Sequence, residues 1–149
     1  MLFRSTGVLF PLEEIAAICR SKGVLYHTDA VQVPGKLKVD VDELGVDFLS
    51  LSAHKLDAPK GVGLLYCRYT APYHAYLIGG GQEKGRRGGT ENVPYLVGFG
   101  RTAELAMNSI QDENTRIRAL RDLRASPRQR SCVSKRLSPH RSRVPRWPD

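Results

Sequence analysis

Three short apolar runs, Val24–Thr28, Phe48–Ser52 and Gly61–Tyr66, are spaced along the first half of the chain, and each has the length and the β-branched or aromatic content of a strand. Ahead of the first run, Leu12, Ile15, Ala16 and Cys19 recur at helical spacing. Pro11 sits where a helix can begin, and Gly23 stops the helix after Lys22. A short helical piece around Val41–Leu44 separates the first two runs. Helix alternating with strand at these lengths predicts an α/β sheet with short connections. Val24–Thr28 is expected to be a buried strand. From Pro94 onward the spacing turns helical again, with Leu96, Val97, Gly100, Ala103 and Met107 on one face and Gln111–Arg124 as a polar continuation.

Charge divides the chain. Its 149 residues carry 23 Lys and Arg against 15 Asp and Glu, a net charge of +8, but residues 1–115 sum to −1 and residues 116–149 to +9. A near-neutral body does not present the basic face that nucleic acid requires, so no specific nucleic-acid partner is expected. Residues 125–149 hold four of the nine prolines, five serines and seven Lys or Arg with no apolar period, which predicts a disordered basic tail. A reading-frame change near Leu123 would account for it.

No apolar run approaches the ~20 residues of a membrane span, and the opening residues are too short for a signal peptide. No membrane partner is expected. Cys19, Cys67 and Cys132 are too few and too far apart for a disulfide framework or a zinc site, which makes a reducing cytoplasm the expected compartment.

Three constellations could carry chemistry. His27-Thr28-Asp29-Ala30-Val31-Gln32 ends the first strand run, where open α/β sheets bind ligands. There Asp29 could pair with a ring N–H and Gln32 with a ring oxygen, or Asp29 could simply cap the following turn. Ser52-Ala53-His54-Lys55 ends the second run. A partly desolvated lysine in such a place can form a Schiff base; alternatively, Lys55 is a surface lysine like its neighbour Lys60. An acid and a lysine at neighbouring strand ends are the two groups a pyridoxal phosphate site requires. The third constellation is Gly79-Gly80-Gly81-Gln82-Glu83 followed by Arg86-Arg87-Gly88-Gly89-Thr90. It could approach an anion through backbone N–H groups, although a flexible glycine-rich connection is the simpler reading. It is not a Walker loop, and Gly61-Val62-Gly63 is not a dinucleotide fingerprint.

Taken together, His-x-Asp-Ala-x-Gln, Ser-Ala-His-Lys-x-x-x-Pro-Lys-Gly and Gly-Gly-Gly-Gln-Glu with Arg-x-Gly-Thr resemble the cysteine desulfurases, in the class-V aminotransferase group of fold type I pyridoxal phosphate enzymes. The resemblance runs from about Gly7 to about Arg124. It implies that residues 1–92 are part of the large cofactor-binding domain, that 93–124 are a helical connection toward a small domain, and that 125–149 are the tail. It implies that Lys55 carries pyridoxal phosphate, Asp29 keeps the pyridine nitrogen protonated and Gln32 bonds the phenolate oxygen. Ser52 and His54 would hold the phosphate, and Thr90 would reach the phosphate of the other subunit in a homodimer. The reaction implied is removal of sulfur from L-cysteine to leave alanine and an enzyme-bound persulfide. A sulfur-acceptor or scaffold protein, as in iron–sulfur cluster assembly, would follow.

Family chains are longer, so this one is expected to be an interior piece, with Arg4-Ser5-Thr6 where the family carries Asn-Asn-Glu. None of the three cysteines occupies the position of the family's nucleophile. Cys19 and Cys67 are expected as inert packing residues, Cys132 falls in the tail, and no turnover is expected from this chain alone. A selenocysteine lyase, another class-V relative or a non-catalytic product are the alternatives.

Overall fold

The structure, a computed structural model, describes residues 2–3 and 8–124. The predicted tail at 125–149, with Cys132, lies outside the described residues, as does the Arg4-Ser5-Thr6 segment. Two compact units divide between Gln111 and Asp112.

In the first unit, strands β1 (Leu2–Phe3) and β2 (Val8–Leu9) pair antiparallel, a feature that no apolar pattern announces. Helix α1 (Leu12–Ser21) begins after Pro11, whose missing N–H is no loss at a helix start. It buries Leu12 and Ala16 and ends at Lys22, before Gly23 at φ +65°. The first sheet strand, β3 (His27–Asp29), is shorter than the run read from the sequence. Val24 and Leu25 are exposed and lie outside it, and only Thr28 of the strand is buried. The expectation of a buried strand over Val24–Thr28 is therefore corrected. Among the described residues β3 pairs with β4 alone, and its side chains alternate between surface and core as the pleat requires.

Helix α2 (Val41–Leu44) follows, capped by Asp40, whose Oδ1 accepts from the backbone N–H groups of Asp42 and Glu43 at 3.1 and 3.3 Å. Gly45 closes it at φ +66°, where a Cβ would also meet the Arg20 guanidinium at 2.7 Å. Strand β4 (Phe48–Ser52) and strand β5 (Gly63–Cys67) complete a three-stranded sheet of order β3-β4-β5, with β3 and β4 parallel and β4 and β5 antiparallel.

One face of this sheet is the core. Ala30, Val33, Val46 and Leu49 are fully buried there, with Tyr26, Leu51 and Tyr66 packed against them. Arg68 fastens the lower end of the sheet. Its guanidinium donates to the Val46 carbonyl at 3.0 Å and lies 3.8 Å from the Asp47 carboxylate, which in turn accepts from the Tyr26 N–H at 2.9 Å.

The glycine-rich segment is not a loose connection. Strands β6 (Gly81–Gln82) and β7 (Arg87–Gly88) form an antiparallel hairpin whose turn passes through left-handed Glu83, Lys84 and Gly85. Arg87 Nε donates to Glu83 Oε1 at 2.7 Å, and the Gly88 N–H to the Leu77 carbonyl at 2.7 Å. These local bonds satisfy backbone that a free loop would leave to water.

Helix α3 (Val93–Arg124) closes the described chain, and its opening turns belong to the first unit. Phe99 is buried with Ala53 and Leu56, and Ala103 and Ala106 pack beside it. Val97 and Met107, expected on the inner face, are 66% and 76% exposed. The correction has a steric cause: the helix approaches through Gly98, where a Cβ would stand 3.3 Å from the Pro59 ring. That approach turns Phe99 inward and Val97 outward. Among the described residues no helix is long and apolar enough to cross a membrane.

Candidate functional site

The register of the sheet assembles the site. His27 pairs with Phe48, Thr28 with Leu49 and Asp29 with Ser50 across the parallel strands. Paired residues share a face and successive residues alternate, so His27, Asp29, Phe48, Ser50 and Ser52 lie on the face opposite the Leu49 core. The pattern Phe-Leu-Ser-Leu-Ser in β4 is the sequence form of that division. Its leucines point inward, and its serines point to the face that Asp29 occupies.

Both parallel strands deliver their carboxyl ends to the same edge. Asp29 is the last residue of β3, and Lys55 sits in the 3-10 turn Ala53–Leu56 that begins directly after β4. Ala53 and Leu56 are buried in the second core cluster and anchor that turn. His54 between them is exposed and Lys55 half-buried. The turn ends at Asp57 in the left-handed region, φ 59°.

Asp29 Oδ1 accepts from the Val31 N–H at 2.9 Å. The turn-capping role weighed for it is thus realised, with the carboxylate held at the strand end and exposed. Gln32 follows on the same turn, half-buried, its backbone carbonyl accepting from the Lys36 ammonium at 3.1 Å. A 2.8 Å hydrogen bond joins Ser52 Oγ and His54 Nδ1, so two candidate phosphate donors are brought together at the end of β4. Thr90 is placed differently: it lies exposed between β7 and α3, on a stretch of chain separate from β3 and β4.

Ser50 is the residue that sequence reasoning missed. Its Oγ and His27 Nε2 make a 2.7 Å hydrogen bond, and its backbone carbonyl accepts from the Ala30 N–H at 3.0 Å. Alternation along β4 was the available signal, since Ser50 stands two positions before Ser52 on the same face. At the base of β3, burial pushes the Tyr26 phenol above its ordinary range, partly offset by a hydrogen bond with Thr28.

The two described cysteines are away from this edge. Cys67 pairs with Phe48 at the opposite end of β4 from Ser52, about 13 Å along the strand at the usual rise. Cys19 is half-buried on α1. Cys67, like Cys19, is half-buried.

Comparison with known proteins adds identity to this geometry. The profile of the aminotransferase class-V family matches residues 4–140. A cysteine desulfurase of Gluconacetobacter diazotrophicus is 53% identical over 117 residues, 78% of this chain and 29% of that protein. The cysteine desulfurase NifS of Azotobacter vinelandii is 49% identical over 117 residues, 78% of this chain and 29% of that protein. Among solved structures, a NifS-like protein from Rickettsia africae superposes with a TM-score of 0.75 at 31% identity, covering 85% of this chain and 37% of that one. The chain thus spans about 30% of the length of the curated relatives it matches.

Proposed function

This chain belongs to the class-V aminotransferase family, and we propose that its sheet edge is the cofactor-holding part of a pyridoxal-phosphate-dependent cysteine desulfurase. The observation that carries the proposal is the placement of Asp29 and Lys55 at the carboxyl ends of adjacent parallel strands. The desulfurase names of the relatives support L-cysteine as the substrate of this reading, with L-alanine and transferred sulfur as its products.

The residues present fit the group. An exposed carboxylate, a half-buried amine and a hydroxyl–imidazole pair share one edge, matching a ring nitrogen, an aldehyde and a phosphate. When bound, pyridoxal phosphate supplies an electron-accepting ring that stabilises negative charge on the substrate's α-carbon. Asp29, held by the Val31 N–H, keeps a proton on the ring nitrogen by opposing its charge. Gln32 donates to the phenolic oxygen. Ser52 and His54 bond the phosphate, and Thr90 serves the phosphate of a second copy in a homodimer. Lys55 Nζ would anchor the group and would be the base that takes the proton from the substrate's α-carbon.

Neither described cysteine is read as the sulfur acceptor: Cys67 stands at the far end of β4 from Ser52, and Cys19 is half-buried near Tyr26, at the end of β3 opposite Asp29. We therefore expect no turnover of L-cysteine by this chain alone.

The test is to incubate the purified chain with pyridoxal phosphate, reduce with borohydride and map the modified lysine by mass spectrometry. Label confined to Lys55, and lost in Lys55→Ala, supports the site. Label spread equally over Lys55 and Lys60 overturns it.

A further inference from the structure

We infer that His27 is a positioning residue, which through its hydrogen bond to Ser50 sets where Asp29 stands relative to Lys55. The inference rests on the cofactor reading above and deepens it.

Ser50 grips β3 on both sides of Asp29. Its carbonyl accepts from the N–H of Ala30, the residue after Asp29, at 3.0 Å, and its Oγ meets the imidazole of His27, two residues before Asp29, at 2.7 Å. The acid is therefore bracketed by two bonds to a single residue of the neighbouring strand. That residue is also the one from which β4 runs through Ser52 directly into the turn bearing Lys55.

The bracket matters because β3 is short. It has three residues, paired among the described residues with β4. A short strand held by few ladder bonds can shift or fray. A side-chain bond across the pair restrains it on the face where Asp29 projects. Two ends of one ring must be gripped together, and displacement of one by about 1 Å can lower efficiency by up to 10²-fold. His27 does not itself need to touch the cofactor for this role.

Three variants of the full chain test the inference by borohydride trapping with pyridoxal phosphate, read as the ratio of label at Lys55 to label at Lys60. His27→Phe keeps an aromatic ring and removes the bond, and the ratio should fall about tenfold. His27→Gln returns an amide nitrogen near the place of Nε2, and the ratio should recover most of the loss. Ser50→Ala should fall as His27→Phe does, and the double variant should fall no further, as for two partners in one bond. Thermal unfolding of each variant accompanies the labelling. A variant that lowers stability while leaving the ratio unchanged marks His27 as structural only and overturns the inference. Equal ratios in wild type and His27→Phe overturn it too, with the cofactor site intact. A wild-type ratio near one overturns the cofactor site itself, and the inference with it.

Discussion

Asp29 stands opposite Ser50 in the parallel register of β3 and β4, which makes the acid at one strand end and the lysine turn at the next belong to a single edge. Had β3 slipped by one residue, Asp29 would face the Leu49 core and Thr28 the open side. Burial of Thr28, Leu49 and Ala30 on the core face is what excludes that slip.

Asp29 holds its turn with one oxygen and is proposed to hold a ring proton with its charge, and two substitutions separate these roles. Asp29→Asn keeps an acceptor for the Val31 N–H and should leave stability within about 0.5 kcal/mol. It should nevertheless weaken pyridoxal phosphate binding, measured as the ligand-dependent rise in melting temperature. Asp29→Ala should lose the ligand response and about 1 kcal/mol of stability in addition.

Arg68 joins the end of β5 to the loop before β4 through the Val46 carbonyl and the Asp47 carboxylate. Arg68→Ala should lower stability by roughly 2 kcal/mol, because a half-buried carbonyl and carboxylate lose charged donors. Lysine should recover only part of this, since one ammonium cannot reproduce the planar fork. Urea unfolding of the three proteins checks both statements.

On α3 the apolar residues divide sharply by arc. Phe99→Ala should cost about 3 kcal/mol by emptying the pocket against Ala53 and Leu56, whereas Val97→Ala should change stability by less than about 0.5 kcal/mol. Equal effects in a denaturant titration would return Val97 to the inner face.

The α2 cap is sensitive to pH at both ends of the scale. Backbone hydrogen bonds from Glu43 and Asp42, with the Lys38 charge, hold the Asp40 carboxyl below its usual 3.8. Its contribution is present above that value and lost as pH falls through the lower folded one. Lys38, bonded to Glu43 and close to Asp40, is raised above its usual 10.5, so its contribution is present below that pH and lost as pH rises through the higher folded value. Hydrogen exchange should accordingly show the Asp42 and Glu43 amides losing protection on acidification below about pH 4, with Asp40→Ala unprotected throughout.

By itself the sequence determined where most of the elements run and which residues are proposed to carry chemistry. A strand over Phe48–Ser52, a helix after Pro11 and a short helical piece at Val41–Leu44 all follow from local spacing, which a linear pattern records. The tertiary structure alone decided which apolar arc of α3 turns inward. Val97 and Met107 form one arc and Phe99 with Ala106 another, and periodicity measures the angle between them without saying which one meets a neighbour. It also decided that Val24 and Leu25 lie outside the sheet, that the glycines of 79–89 fold into a hairpin, and that His27 reaches Ser50. Each of these depends on which chain segments come to lie side by side, and pairing between distant segments is a property of packing that residue spacing along one strand or helix does not encode.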